Sequence, residues 1–203
     1  MEAAMQWRTV LRCGLALALV GVAAASAGAT TLQRVGLEEL VASNGTIVVG
    51  EVVDVHSYWN DERTFILSDV RVAVDDVLKG DPKDGFVTLT VLGGTVDDTT
   101  VLIVGGPELV PGQSYVLFTQ VDSLPGASRA LTLRDHAQGV FDVVRQGAEV
   151  RAVSQASRQP LVPDVFGLAE PPGGVAGVSL PNLVESVRRM AGSDRGPRHE
   201  VKQ

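Results

Sequence analysis

Val70-Arg71-Val72-Ala73-Val74-Asp75-Asp76-Val77-Leu78-Lys79, followed beyond Gly80-Asp81-Pro82 by Val87-Thr88-Leu89-Thr90-Val91, is the stretch that decides the fold. Val70, Val72 and Val74 alternate with Arg71 and Ala73, and Val87, Leu89 and Val91 alternate with threonines. A period of two is the mark of a strand buried on one face. The first strand slips register near its end, because Asp76 would point inward while Val77-Leu78 are apolar. One extra residue at Asp75-Asp76, a β-bulge, repairs this. Lys79-Gly80-Asp81-Pro82 then supplies turn chemistry.

The pattern repeats outward in both directions. Upstream, Ile47–Val55 is apolar on both faces, with Gly50 marking a bend or a close backbone approach. Ahead of it, Leu37-Glu38-Glu39-Leu40-Val41 has helical spacing and is stopped at Asn44-Gly45. Downstream, Gly93-Gly94 breaks a strand, Asp97-Asp98 makes a turn, and Thr100–Val104, Tyr115–Val121, Leu131–Leu133, Val140–Val144 and Glu149–Val153 are further strands. Gly147 turns the last pair. Short turns and no intervening helices predict an antiparallel, mainly β domain over residues 30–154, with a closed or partly open OB-like barrel as the expected form. Prolines and glycines over 155–178 predict a linker or strap. Pro181–Ala191 predicts a helix within 179–192. Pro181 lies in its first turn, Arg188-Arg189 near its end, and Gly192 is the expected stop. Its stripe of Leu183, Val184, Val187, Met190 and Ala191 is expected to pack on the barrel. Residues 193–203 are expected to be disordered.

The N-terminus has a different character. Arg8 and Arg12 precede an apolar run from Leu15 to Ala25, closed by Ala25-Ser26-Ala27 and Ala27-Gly28-Ala29. This predicts a cleavable signal peptide over residues 1–29 and an exported protein, periplasmic or extracellular. The run is shorter than the roughly 20 residues of a spanning helix, so stable membrane insertion is not expected. Cleavage removes Cys13, the chain's one cysteine, and with it disulfides and thiol chemistry. The chain has 17 basic and 24 acidic residues. The leader holds Arg8, Arg12 and Glu2, so the mature chain is more acidic than the whole. An acidic chain with no basic stripe is a poor nucleic-acid binder.

In order, the landmarks Leu37–Leu40, Ile47–Gly50, Val77–Gly80, Gly93-Gly94, Pro111–Phe118, Gly139–Phe141 and Val187–Arg189 resemble a family of uncharacterised secreted bacterial proteins. The strand pattern, chiefly Ile47–Val55, also looks like the OB barrel of netrin-like and tissue-metalloproteinase-inhibitor domains. Those inhibitors hold zinc through an N-terminal cysteine. Without one, the resemblance implies the fold and not the inhibitory chemistry.

A search for chemistry returns little. His56, His136 and His199 lack metal-ligand spacing, and no metal or cofactor is expected. Gly112-Gln113-Ser114-Tyr115-Val116 is not a nucleophile elbow. Gly93-Gly94 lacks the lysine and helix of a phosphate loop. Asp61-Glu62, Asp75-Asp76 and Asp97-Asp98 are adjacent acids; on a strand such neighbours point to opposite faces, and in the Gly93–Thr100 loop Asp97 and Asp98 could meet a cation or partner. Asn44-Gly45-Thr46 matches a glycosylation sequon, or simply a helix stop. Tyr58 and Trp59 end the first strand, either as a binding rim or as a cap on the barrel. The expectation is a secreted non-catalytic binding module whose binding residues are Tyr58, Trp59, Asp97 and Asp98. Its partner would be another protein or an extracellular macromolecule. A hydrolase with a site assembled from distant carboxylates and a histidine is the alternative.

Overall fold

The computed structural model describes residues 34–133, 136–158 and 176–193. The predicted signal peptide, most of the predicted linker (159–175) and residues 194–203 of the predicted tail lie outside the described residues.

The protein is mainly β, with helix α1 (Leu37–Ser43) near one end and α2 (Leu180–Ser193) near the other. The strands are β1 (Thr46–Trp59), β2 (Ile66–Lys79), β3 (Phe86–Leu92), β4 (Gly94–Val96), β5 (Thr99–Val101), β6 (Ser114–Leu124), β7 (Ala127–Leu133), β8 (Val140–Gln146), β9 (Glu149–Ser154) and β10 (Val178–Ser179). Among the described residues, an eight-stranded antiparallel sheet runs β10-β9-β8-β6-β1-β2-β3, with β7 on the far end of β6, and β4 and β5 form a separate pair. The hairpin at Gly147 and the alternation of β2 and β3 are as expected.

β1 and β6 lie at the centre, and their stretches Ile47–Gly50 and Tyr115–Thr119 are buried on both faces. Ile47, Val49, Val116 and Phe118 enter one core together with Leu40 and Val41 of α1 and Leu183, Val187 and Ala191 of α2. Val48, Val52, Tyr115 and Leu117 enter a second core with Val70, Val72, Val87 and Leu89. The apolar stripe of α2 is therefore core. Lys79 donates from Nζ to the Val41 carbonyl at 2.6 Å, answering the C-terminal end of α1.

The bulges set the faces. Val49 pairs with Asp76 while Gly50 pairs with Val74, so Asp75 is the extra residue foreseen in β2. Leu78 is a second, between the Ile47–Lys79 and Val48–Val77 pairs. A Cβ at Gly50 would stand 2.3 Å from the Ala73 carbonyl oxygen, which is the close approach expected there. β1, β2, β6 and β7 run longer than expected, and three further boundaries differ. The strand begun at Thr99 ends at Val101, and Leu102 and Val104 are exposed in the loop beyond. Gly94 opens β4 instead of only ending β3, because it is the one residue that fits against Ser57 and Ser68: a Cβ there would lie 2.3 Å from Ser68 Oγ. α2 passes through Gly192 to Ser193, since burial of Ala191 holds its last turn in place.

Candidate functional site on the outer face of β1 to β3

A bulge at Val53 builds this surface. Val52 pairs with Val72 and Asp54 with Arg71, so Val53 has no opposite number. Val52 faces the second core, and after the extra residue Val55 does so too. Asp54, His56 and Tyr58 are thereby turned to the outer face, where strict alternation from Val52 would have pointed them inward.

There Tyr58 meets residues of the neighbouring strands. Its hydroxyl donates to Asp69 Oδ1 at 3.2 Å, and Thr90 Oγ1 donates to the same oxygen at 2.7 Å. The His56 ring stacks on Tyr58 with centroids 6.1 Å apart and planes 19° from parallel. Burial, then the Asp69 carboxylate, raises the Tyr58 pKa above 10.0. Further along the same face, the Arg71 guanidinium sits 4.1 Å from the centroid of the Phe86 ring, and Phe86 is 41 % exposed. The surface thus offers two aromatic rings, an imidazole, a guanidinium and a carboxylate with one oxygen engaged by two hydroxyls. Such a set suits stacking and hydrogen bonding to a ligand laid across the strands.

The other expected residues are not gathered here. Trp59 follows Tyr58 directly and pairs with Ile66, so it belongs to the opposite face of the strand. Asp97 and Asp98 form the exposed tip of the β4–β5 hairpin, Asp97 with φ of 51°. Among the described residues neither makes a hydrogen bond or ion pair with Tyr58 or Trp59. Asn44 is 1 % exposed, and its Nδ2 donates to the Leu40 carbonyl at 2.8 Å; it stops α1 and its amide is closed to a glycan in the folded chain.

Two polar hubs escaped the sequence reading. Asn60 Oδ1 accepts from the Thr64 and Phe65 amides at 2.8 and 2.9 Å, fixing the turn between β1 and β2 beside the candidate surface. Gln155, placed by sequence at the start of a linker, is buried in a helical turn after β9. Its Nε2 donates to Asp142 Oδ1 at 2.7 Å and to the Glu108 carbonyl at 2.8 Å, while Oε1 accepts the Glu108 amide at 2.9 Å. Arg158 pairs with Asp142 Oδ2 at 3.0 Å, and Tyr115 Oη accepts the Val110 amide at 3.0 Å. Both Asp142 oxygens are thus occupied in holding the loop before β6. Their nearest useful signal was the amide side chain of Gln155 directly after an apolar strand.

Among the described residues no group of three or more His, Cys, Asp or Glu side chains could hold a metal ion, and no helix is long and apolar enough to cross a membrane. No protein-family model, curated protein or solved structure matches the chain.

Proposed function

We propose that the chain is an exported, non-catalytic binding module, and that the outer face of β1 to β3 around Tyr58 receives its ligand, a protein or another extracellular macromolecule. The observation that carries this reading is the bulge at Val53, which turns His56 and Tyr58 outward beside Asp69 and Thr90. The A-x-A leader supports export. An OB-like arrangement, as in netrin-like domains, is supported by the circuit β3-β2-β1-β6-β7 and by the approach of β7 to β3. In OB folds the face of the second and third strands is a common ligand platform.

The test is to place a photo-crosslinking side chain at His56 in cells that export the protein. A discrete adduct is expected, and it should disappear when Tyr58→Ala is added while the melting temperature stays within a few degrees. An adduct indifferent to Tyr58, or none under any growth condition, would falsify the reading.

A further inference from the structure

The register of β1, β2 and β3 lays out the outer face row by row, because residues paired across neighbouring strands share a face. Asp54, Arg71 and Thr88 form one row across the three strands, and His56, Asp69 and Thr90 form the next. Beyond the first row lies Phe86, opposite Ala73. Beyond the second lies Tyr58, opposite Leu67. From the Phe86 row to the Tyr58 row is about 20 Å of extended strand.

The two middle rows are polar throughout, and much of their hydrogen-bonding capacity is unspent. Asp54, His56, Arg71 and Thr88 are exposed. Asp69 Oδ1 accepts from Tyr58 and Thr90, which fixes the carboxylate and leaves Oδ2 open among the described residues. The Asp54 carboxylate and the Thr88 hydroxyl have no hydrogen bond among those residues either. Rings stand at the two ends: Tyr58 against the His56 ring, and Phe86 against the Arg71 guanidinium.

This order argues against the commoner occupants. A protein partner wants an apolar centre inside a polar rim; here the centre is polar and the rings lie at the ends. An added peptide strand needs an open edge, and this is a face. Nucleic acid needs basic groups for its phosphates, whereas Glu51, Asp54 and Asp69 outnumber Arg71 on this face. A chain of sugars fits. Each sugar ring has a face of C–H groups that stacks on an aromatic ring and a rim of hydroxyls that donate to carboxylate and threonine oxygens. We infer that the outer face of β1 to β3 takes a neutral polysaccharide, stacked on Tyr58 and Phe86, with its hydroxyls held between them by Asp54, Asp69 and Thr88. The inference rests on the binding role proposed above and names its ligand.

Affinity electrophoresis of the full chain, through gels cast with xyloglucan, laminarin, hydroxyethylcellulose or polygalacturonate, tests this. At least one of the three neutral polymers should retard the chain. Tyr58→Ala and Phe86→Ala should each raise the dissociation constant about 10-fold or more. Phe86→Ala removes an exposed ring, so its far-UV circular dichroism should match that of the parent chain. No retardation by any neutral polymer, stronger retardation by polygalacturonate, or retardation that survives both substitutions overturns the inference. The crosslink from position 56 separates that failure from failure of the binding role: a Tyr58-dependent adduct whose added mass is a peptide keeps the binding face and overturns the polysaccharide.

Discussion

Single residues decide where the chain bends and which way its side chains face. Gly50 is the tightest case, because a methyl group there collides with the Ala73 carbonyl of the neighbouring strand, a backbone atom that moves only with its ladder. Gly50→Ala should cost about 1–3 kcal/mol, the usual range for overpacking, read as a lowered denaturant midpoint at unchanged slope. Gly45→Ala, which meets nothing within 4 Å, is the control. The chain has two tyrosines, and burial raises the pKa of both: Tyr58 beside Asp69, and Tyr115 despite the opposing effect of the Val110 amide. A raised folded pKa means that the native state holds its proton longer than the unfolded state. The resulting stability is whole below 10.0 and is lost as pH rises through the folded values. Spectrophotometric titration of the native chain should therefore show little phenolate at that pH, and more in denaturant. Equal curves in the two solvents would contradict the burial of both rings.

At the scale of elements, α2 holds its place through packing. Fourteen residues are too few for stable helix in isolation, yet Leu183 is 2 % and Val187 0 % exposed. Leu183→Ala should cost about 2–5 kcal/mol in a urea melt, and Arg189→Ala, whose ion pair to Glu185 is exposed, close to nothing. Equal effects would mean that α2 does not seal the core. The apolar stripe of α2 was legible because its spacing is helical, and the alternating halves of β2 and β3 because their period is two. Even the Asp75 bulge announced itself by a broken alternation. The outer halves of β1 and β2 were harder to read. His56-Ser57-Tyr58-Trp59 carries no apolar alternation, and its strand geometry comes from pairing with Ile66–Asp69 across the turn that Asn60 ties. The candidate site was half visible for the same reason. Tyr58 stands out in the sequence, but its partners Asp69 and Thr90 follow from register, and register depends on an extra residue at Val53 that leaves no mark in composition. Trp59 looked like a companion of Tyr58 because neighbours in sequence were taken together, where a strand sends them apart.

At the scale of the molecule, two cores share the same two strands. Ile47 and Val49 of β1 and Val116 and Phe118 of β6 face the helices; Val48, Val52, Tyr115 and Leu117, interleaved with them, face the core of β2 and β3. Neither core can open without stripping one face of β1 and β6, so loss of either should release both. Unfolding is expected to be a single transition. The helices lie on one core, whereas Trp59 lies at the far end of β1, so helical ellipticity and Trp59 fluorescence report on different regions. With Trp7→Phe leaving Trp59 as the lone tryptophan of the chain, the two signals should trace the same urea curve. Leu117→Ala in one core and Leu183→Ala in the other should each shift the whole curve, since each removes a buried leucine worth about 2–5 kcal/mol. Because the two side chains belong to separate clusters, their costs should add to within about 0.5 kcal/mol in the double variant. A helical signal that melts first in Leu183→Ala while Trp59 fluorescence keeps its midpoint would show two independent cores, and β1 and β6 would then be a seam rather than the element that binds the molecule into one.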